Sequence, residues 1–136
     1  MTAVTTHILD TVRGEPAAGV VVRLERVVIG RVVAGAAGTT DGTTDGTGGS
    51  GGEIGRGVTD GDGRIGDFGL ARAAAGRYRL VFETGPYLRA AHPGGTRGGE
   101  PFFPEIAVTF AADGARVHYH VPLLLSPYSY STYRGS

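Results

Sequence analysis

Short runs of alternating apolar and polar residues restrict more than any other feature how this chain can fold. Residues 20–25, 77–83 and 106–110 place apolar side chains at every second position. Successive side chains of a strand point to opposite faces, so a period of two is typical of half-buried strands. Further strand-like runs are Thr5–Asp10, Val27–Val33, Ile65–Leu70, Val117–Ser126 and Tyr128–Tyr133. With turns every 8–12 residues or so, the pattern predicts an all-β fold, a two-sheet antiparallel β-sandwich of about eight strands.

Helical periodicity is confined to one short stretch, Pro86–His92, which predicts a single short helix. The 136 residues fit one domain, 1–136. Within it, residues 35–57 are rich in glycine, threonine and aspartate and contain the repeated sequence Thr-Thr-Asp-Gly. Such a segment buries too little apolar surface to offset the entropy of ordering, so we predict a flexible loop insertion at 35–57.

Composition excludes several kinds of partner and chemistry. The 13 basic residues, all arginine, balance 13 acidic ones, and this argues against a nucleic acid or a membrane as the partner. The absence of cysteine removes disulfides, thiolate nucleophiles and cysteine-ligated zinc. No signal peptide is recognisable at the N-terminus, so we expect a cytoplasmic location.

Histidine is rare enough that its placement is informative. His118 and His120 lie two residues apart in a predicted strand and share one face, which is either part of a site or a solvated sheet surface. His7 lies in the first predicted strand. His92 precedes a proline in a glycine-rich stretch and is expected in a solvated loop.

The segment from Thr59 to Arg64 contains two Asp-Gly pairs. It resembles the start of a calcium loop but lacks the later bidentate glutamate, and Arg64 would repel the ion. A tight turn that feeds a strand beginning at Arg64 is the favoured interpretation.

Three motifs together resemble the transthyretin-like 5-hydroxyisourate hydrolases. They are His-Ile-Leu-Asp at 7–10 with Arg-Gly-Glu-Pro-Ala at 13–17, Thr-Asp-Gly-Asp-Gly-Arg at 59–64, and the block from His118 through Tyr-Arg-Gly-Ser at 133–136. The resemblance implies a transthyretin/prealbumin-like hydrolase domain and a homotetramer with sites at the dimer–dimer interface. It also implies that the catalytic residues are His7, Arg64 and His120, and that the substrate-binding residues are His118, Tyr133, Arg134, Gly135 and Ser136.

The implied reaction opens the ring amide of 5-hydroxyisourate, in urate degradation, by histidine-assisted attack of water. No cofactor and no metal are expected. Three alternatives remain open: a transthyretin-like carrier of a small ligand without catalytic activity, a zinc hydrolase using His7, His118 and His120 as ligands, and a structural β-sandwich module.

Overall fold

The structure, a computed structural model, describes residues 2–28, 50–95 and 99–136. Those residues form ten strands and one α-helix, α1 (Gly85–Ala91), followed by a 3-10 turn at Pro93–Gly95. The strands are β1 (Val4–Asp10), β2 (Glu15–Pro16), β3 (Val21–Val27), β4 (Ser50–Val58), β5 (Arg64–Ile65), β6 (Gly76–Glu83), β7 (Ile106–Ala112), β8 (Tyr119–His120), β9 (Leu123–Leu125) and β10 (Tyr130–Thr132).

The strands form two sheets, as predicted. One has the order β4-β3-β6-β7 and is antiparallel throughout. The other has the order β10-β9-β1-β2, and β5 and β8 also pair with β1. In this second sheet β1 runs parallel to both β8 and β9, a departure from the purely antiparallel prediction. The short helix lies where the sequence predicts it.

The core lies between the inner faces of the two sheets and follows the period of two. Ile8 and Leu123 of one sheet and Leu24, Leu80 and Phe82 of the other are completely buried. Burying each such side chain stabilises the fold by about 1.5–3 kcal/mol relative to leaving it exposed. The alternation read from the sequence therefore identifies the buried face of each long strand.

The predicted loop insertion at 35–57 is only partly within the described residues. Its positions 35–49 lie outside them, but Ser50–Val58 is strand β4, paired with β3, so the loop prediction is wrong for 50–57. Glycine has a packing role here. A Cβ at Gly57 would lie 2.9 Å from Ile65, and one at Gly55 would clash with the carbonyl group of Phe68. Glycine lets the following segment cross closely over the strand.

Several other predicted strands are longer than the strands that the structure describes; the run Tyr128–Tyr133, for example, forms a strand only at Tyr130–Thr132. The run Ile65–Leu70 forms a strand only at Ile65, the last residue of β5, and the chain turns at Gly69, which adopts a left-handed conformation with φ +83°. The run Val117–Ser126 is divided into β8 and β9, with Pro122, which has no backbone N–H, between them. Of the predicted run Val27–Val33, only Val27 lies in a described strand, as the last residue of β3. Positions 29–33 lie outside the described residues.

A buried carboxylate joins the helix to β1. Asp10 is completely buried and accepts hydrogen bonds from the Tyr87 hydroxyl and the His92 Nε2, both at 2.7 Å, and from two backbone N–H groups. His92 is therefore not a solvated loop residue, since its side chain is only 12% exposed. Burial alone would raise the pKa of Asp10, but hydrogen bonds from Tyr87, Arg13 and His92 outweigh it and lower this pKa. Burial and the carboxylate raise the pKa of Tyr87 to about 12.

We expect Asp10→Asn to lower the free energy of unfolding by about 2–3 kcal/mol at pH 7, because an amide leaves buried donors poorly satisfied. A lowered folded-state pKa means that the contribution of Asp10 is present above its unfolded-state pKa of about 3.9 and is lost as pH falls through the folded value. The difference in the free energy of unfolding between wild type and variant should therefore become smaller below about pH 4. Urea denaturation at pH 7 and pH 3 measures both effects. Glu100→Gln, at an exposed position, is the control. If Asp10→Asn loses the same free energy of unfolding at both pH values, the stabilising role of the ionised Asp10 carboxylate is contradicted.

Candidate functional site

Three of the predicted site residues meet on the outer face of the sheet around β1. Alternation along β1 buries Val4, Thr6 and Ile8 and turns Thr5 and His7 to the other face. On β5, Arg64 lies directly opposite His7. On β8, His120 lies opposite Thr5. Residues at paired positions of neighbouring strands share a face, so His7, Arg64 and His120 lie side by side although they are far apart in sequence.

Arg64 is held in place by the turn that precedes it. The Asp60 carboxylate accepts hydrogen bonds from the backbone N–H groups of Asp62 and Arg64 at 2.9 and 3.0 Å. At Gly63 the chain has φ +74°, and a Cβ there would lie 2.5 Å from the Ile8 carbonyl oxygen. The hydrogen bond from the Arg64 backbone, more than any other interaction, lowers the pKa of Asp60. The segment is the predicted tight turn, and β5 begins at Arg64.

The two histidines of the His-Tyr-His sequence are joined through one hydroxyl group. Thr5 Oγ1 lies 2.8 Å from His118 Nε2 and 2.7 Å from His120 Nδ1. The two rings are roughly parallel, at an interplanar angle of 28°, with centroids 6.3 Å apart. The shared face inferred from the spacing is present, and it contains a polar network.

The surroundings of His120 disfavour its charged form. Burial lowers its pKa because the charged imidazolium loses solvation, and the nearby His118, Arg64 and His7 lower it further. His120 is therefore neutral at pH 7 and able to accept a proton. Beside it, the guanidinium of Arg64 supplies a permanent positive charge and several hydrogen-bond donors.

The last four residues are divided between two environments. Gly135 forms a β-bridge with His120, its N–H donating to the His120 carbonyl oxygen at 2.7 Å. A Cβ at Gly135 would lie 2.5 Å from the ring of His120, so the terminal segment passes directly over that ring. Tyr133 and Arg134 instead line a cavity of about 230 Å³ at the edge of the sandwich. Ser136 is exposed.

Thr5 is the residue that sequence reasoning missed. A signal was available, because a polar residue two positions before His7 in a strand must share its face. Nothing local, however, indicates that its hydroxyl reaches two histidines more than a hundred positions away. That contact depends on the parallel pairing of β1 with β8.

The side chains on this face are suited to transferring protons and to stabilising negative charge on a bound polar molecule. Imidazole accepts and donates protons near neutral pH, and a guanidinium stabilises a developing oxyanion. Among the residues that the structure describes, no group of three or more histidine and carboxylate side chains is placed to hold a metal ion. Within the same residues, no helix is long and apolar enough to cross a membrane.

Comparison with known proteins identifies the relatives of this chain. Residues 4–135 match the HIUase/Transthyretin family. A protein of Mesorhizobium japonicum named 5-hydroxyisourate hydrolase is 43% identical, over 97% of this chain and 90% of that protein. The structure of Klebsiella pneumoniae 5-hydroxyisourate hydrolase is 34% identical, with a TM-score of 0.70 and full coverage of both chains. Transthyretin from Sparus aurata is 29% identical, with a TM-score of 0.73 over 99% of this chain and 97% of that one.

We expect the imidazole of His120 to titrate with a midpoint below the ordinary 6.5 in an NMR titration of its C2 proton. Arg64→Gln should raise that midpoint in part, because a nearby cation is removed while the burial remains. Arg116→Gln should leave it unchanged, because Arg116 is not among the groups that shift this pKa. A wild-type midpoint at or above 6.5 would contradict the electrostatic assignment.

Proposed function

Because the chain belongs to the HIUase/transthyretin family, we propose that it hydrolyses 5-hydroxyisourate, an intermediate of urate degradation. Water attacks the ring amide, and the product is 2-oxo-4-hydroxy-4-carboxy-5-ureidoimidazoline. The observation that carries the proposal is the convergence of His7, Arg64 and His120 on one face of the sheet around β1.

Opening a cyclic amide needs three things from a site. The attacking water must lose a proton, the carbonyl oxygen must be stabilised as it gains negative charge, and the leaving nitrogen must gain a proton. The chain has no cysteine to act as a covalent nucleophile. Direct attack by water therefore requires only groups that move protons and a fixed positive charge.

The side chains on this face fit those three tasks. His7 and His120 share the acid–base work, one acting as base and the other orienting or donating. The lowered pKa of His120 keeps it in the form that accepts a proton from water, so His120 is the base and His7 orients the reactants. Arg64 is always charged, so it cannot act as the base; its guanidinium stabilises the oxyanion. His118, joined to His120 through Thr5, assists in the same network.

The terminal residues Tyr133, Arg134, Gly135 and Ser136 bind the substrate in this proposal. Support comes from Gly135, which brings the segment against the ring of His120. Tyr133 and Arg134 follow β10 and line the neighbouring cavity, which Tyr119 and Val121, on either side of His120 in the sequence, also line.

A carrier without catalytic activity is the alternative, suggested by the similarity to transthyretin. Carrier sites for aromatic ligands are predominantly apolar. The face around β1 instead presents imidazoles, a hydroxyl group and a guanidinium at paired positions. This polarity favours the hydrolase.

We also propose that four copies assemble, with the sites where dimers meet. The end strands β7 and β10 border the same cavity, so the edge of the sandwich offers two strands to a second copy. Next to them Phe102 is 67% exposed and Tyr128 58% exposed, with ring centroids 6.1 Å apart. An exposed aromatic cluster beside strand edges is typical of an interface.

A cytoplasmic location stays a prediction.

Replacing His7, Arg64 or His120 with alanine should each slow turnover strongly. Losing a positioned acid–base histidine costs about 10²–10⁴-fold, and losing a donor to the oxyanion costs about 10²–10³-fold. Substrate generated from urate by urate oxidase, followed by its absorbance, gives the rate once the uncatalysed decay in buffer is subtracted.

Arg116→Ala is the matched control for those variants, because it removes an exposed arginine outside the site. It should keep the wild-type rate. A site variant with a near-normal rate removes that residue from the mechanism, and a wild-type protein that does not exceed the buffer rate overturns the proposed function.

The assembly is tested by light scattering. Wild type should have four times the 14.0 kDa mass of the chain, and Phe102→Asp should lower it, because a charge would be buried in the interface. Val58→Asp is the control: it changes an exposed valine on β4, at the opposite end of the sheet from β7. A 14.0 kDa wild type, or an unchanged mass for the Phe102 variant, contradicts the proposal.

A further inference from the structure

We propose that the hydroxyl group of Thr5 is a positioning device that couples the proton positions of His118 and His120, so that the two rings act as one acid–base unit. The proposal deepens the function proposed above and rests on it. It is carried by the two short contacts of Thr5 Oγ1, 2.8 Å to His118 Nε2 and 2.7 Å to His120 Nδ1.

The geometry restricts the protons because a hydroxyl group has only one to donate. If Thr5 donates to one ring nitrogen, it must accept from the other, which then carries a proton. Each neutral imidazole has one N–H. Of the two ring nitrogens that contact Thr5, His118 Nε2 and His120 Nδ1, one therefore carries a proton and the other does not.

Two arrangements satisfy this rule. In the first, Thr5 donates to His118 Nε2 and accepts from His120 Nδ1–H, which leaves His120 Nε2 unprotonated and able to act as a base. In the second, Thr5 donates to His120 Nδ1 and accepts from His118 Nε2–H, so His120 Nε2 carries a proton and can act as an acid. Uptake of one proton at His120 Nε2, together with proton transfer along the two hydrogen bonds, converts the base form of His120 into its acid form and leaves His118 as an imidazolium.

The proton transfers balance over the reaction. Water gives a proton to His120 Nε2 as its oxygen attacks the carbonyl carbon. The Nδ1 proton of His120 passes to Thr5 Oγ1, and the original hydroxyl proton of Thr5 passes to His118 Nε2. When His120 Nε2 protonates the leaving nitrogen, the other two transfers run in reverse, and the first arrangement returns.

The surroundings of His120 explain why the positive charge moves to His118. Burial lowers the pKa of His120, and the neighbouring His118, Arg64 and His7 add to this effect, so an imidazolium is unfavourable at His120. Through Thr5, the imidazolium forms on His118, whose Nε2 lies 2.8 Å from the Thr5 hydroxyl group.

Thr5 is well placed to hold the arrangement. It lies within β1, directly opposite His120, and its carbonyl oxygen accepts the N–H of Val121 at 3.0 Å. A β-branched side chain has few χ1 rotamers, so the hydroxyl group does not readily turn away.

The first test reads the tautomers in the ligand-free wild-type protein by ¹⁵N NMR of the histidine rings at a pH where both rings are neutral. We expect the protonated fractions of His118 Nε2 and His120 Nδ1 to sum to one. If both nitrogens are unprotonated, or both are fully protonated, the proposal is overturned. This measurement needs neither a variant nor catalytic activity, so it stands apart from any failure of the proposed function.

The second test compares Thr5→Val, which keeps the shape of the side chain without the hydroxyl group, with Thr5→Ser, which keeps the hydroxyl group. Thr5→Val should lower kcat by about 10–100-fold, less than removal of an acid–base group itself, with little change in KM. Thr5→Ser should stay within about threefold of wild type, because the donor and acceptor remain.

The same ¹⁵N NMR measurement of ring protonation distinguishes the two variants. In Thr5→Val the two ring nitrogens should no longer have complementary protonation, whereas Thr5→Ser should retain it. Circular dichroism and urea denaturation check that both variants fold. A folded Thr5→Val protein with unchanged ring nitrogens and a kcat within twofold of wild type overturns the proposal.

Discussion

The central position of β1 is the constraint on which the rest of the structure depends. This strand pairs with β2, β5, β8 and β9, so four other strands, three of them distant in sequence, take their register from it. One face of β1 supplies Val4 and Ile8 to the core, and the other presents Thr5 and His7. Because the side chains of a strand alternate, the packing that stabilises the fold also aims the site residues outward. A shift of one residue in register would exchange the two faces.

Polar groups on the buried face of β1 are tolerated because each has partners. Thr6 donates its hydroxyl to the Val121 carbonyl oxygen at 2.6 Å, and Asp10 accepts hydrogen bonds from Tyr87 and His92. A buried carboxylate without such donors would be strongly destabilising. These bonds connect β1 to the segment after β8 and to the helix, so they hold the same strands that position His120.

Much of the fold follows from local pattern, and the errors have physical causes. The period of two identifies the long strands and the buried side of each, because burying one face is the main driving force. The glycines of β4 predict a loop, yet Gly55 and Gly57 are where a neighbouring segment crosses closely over the strand. The proline and glycines that follow His92 predict a solvated position, but its partner Asp10 lies 82 positions away. The residues that flank His92 in the sequence do not indicate a contact over such a separation.

The sequence by itself determined the kinds of group in the site and the side of each strand on which they lie, because composition and alternation are local properties. It also excluded a cysteine nucleophile and a cysteine-ligated metal, since cysteine is absent. Only the tertiary structure decided that His7 faces Arg64 and that Thr5 joins His118 to His120. Those neighbours are set by the pairing of strands over long sequence separations. That pairing is decided by the packing of the whole core, which no short stretch of residues contains.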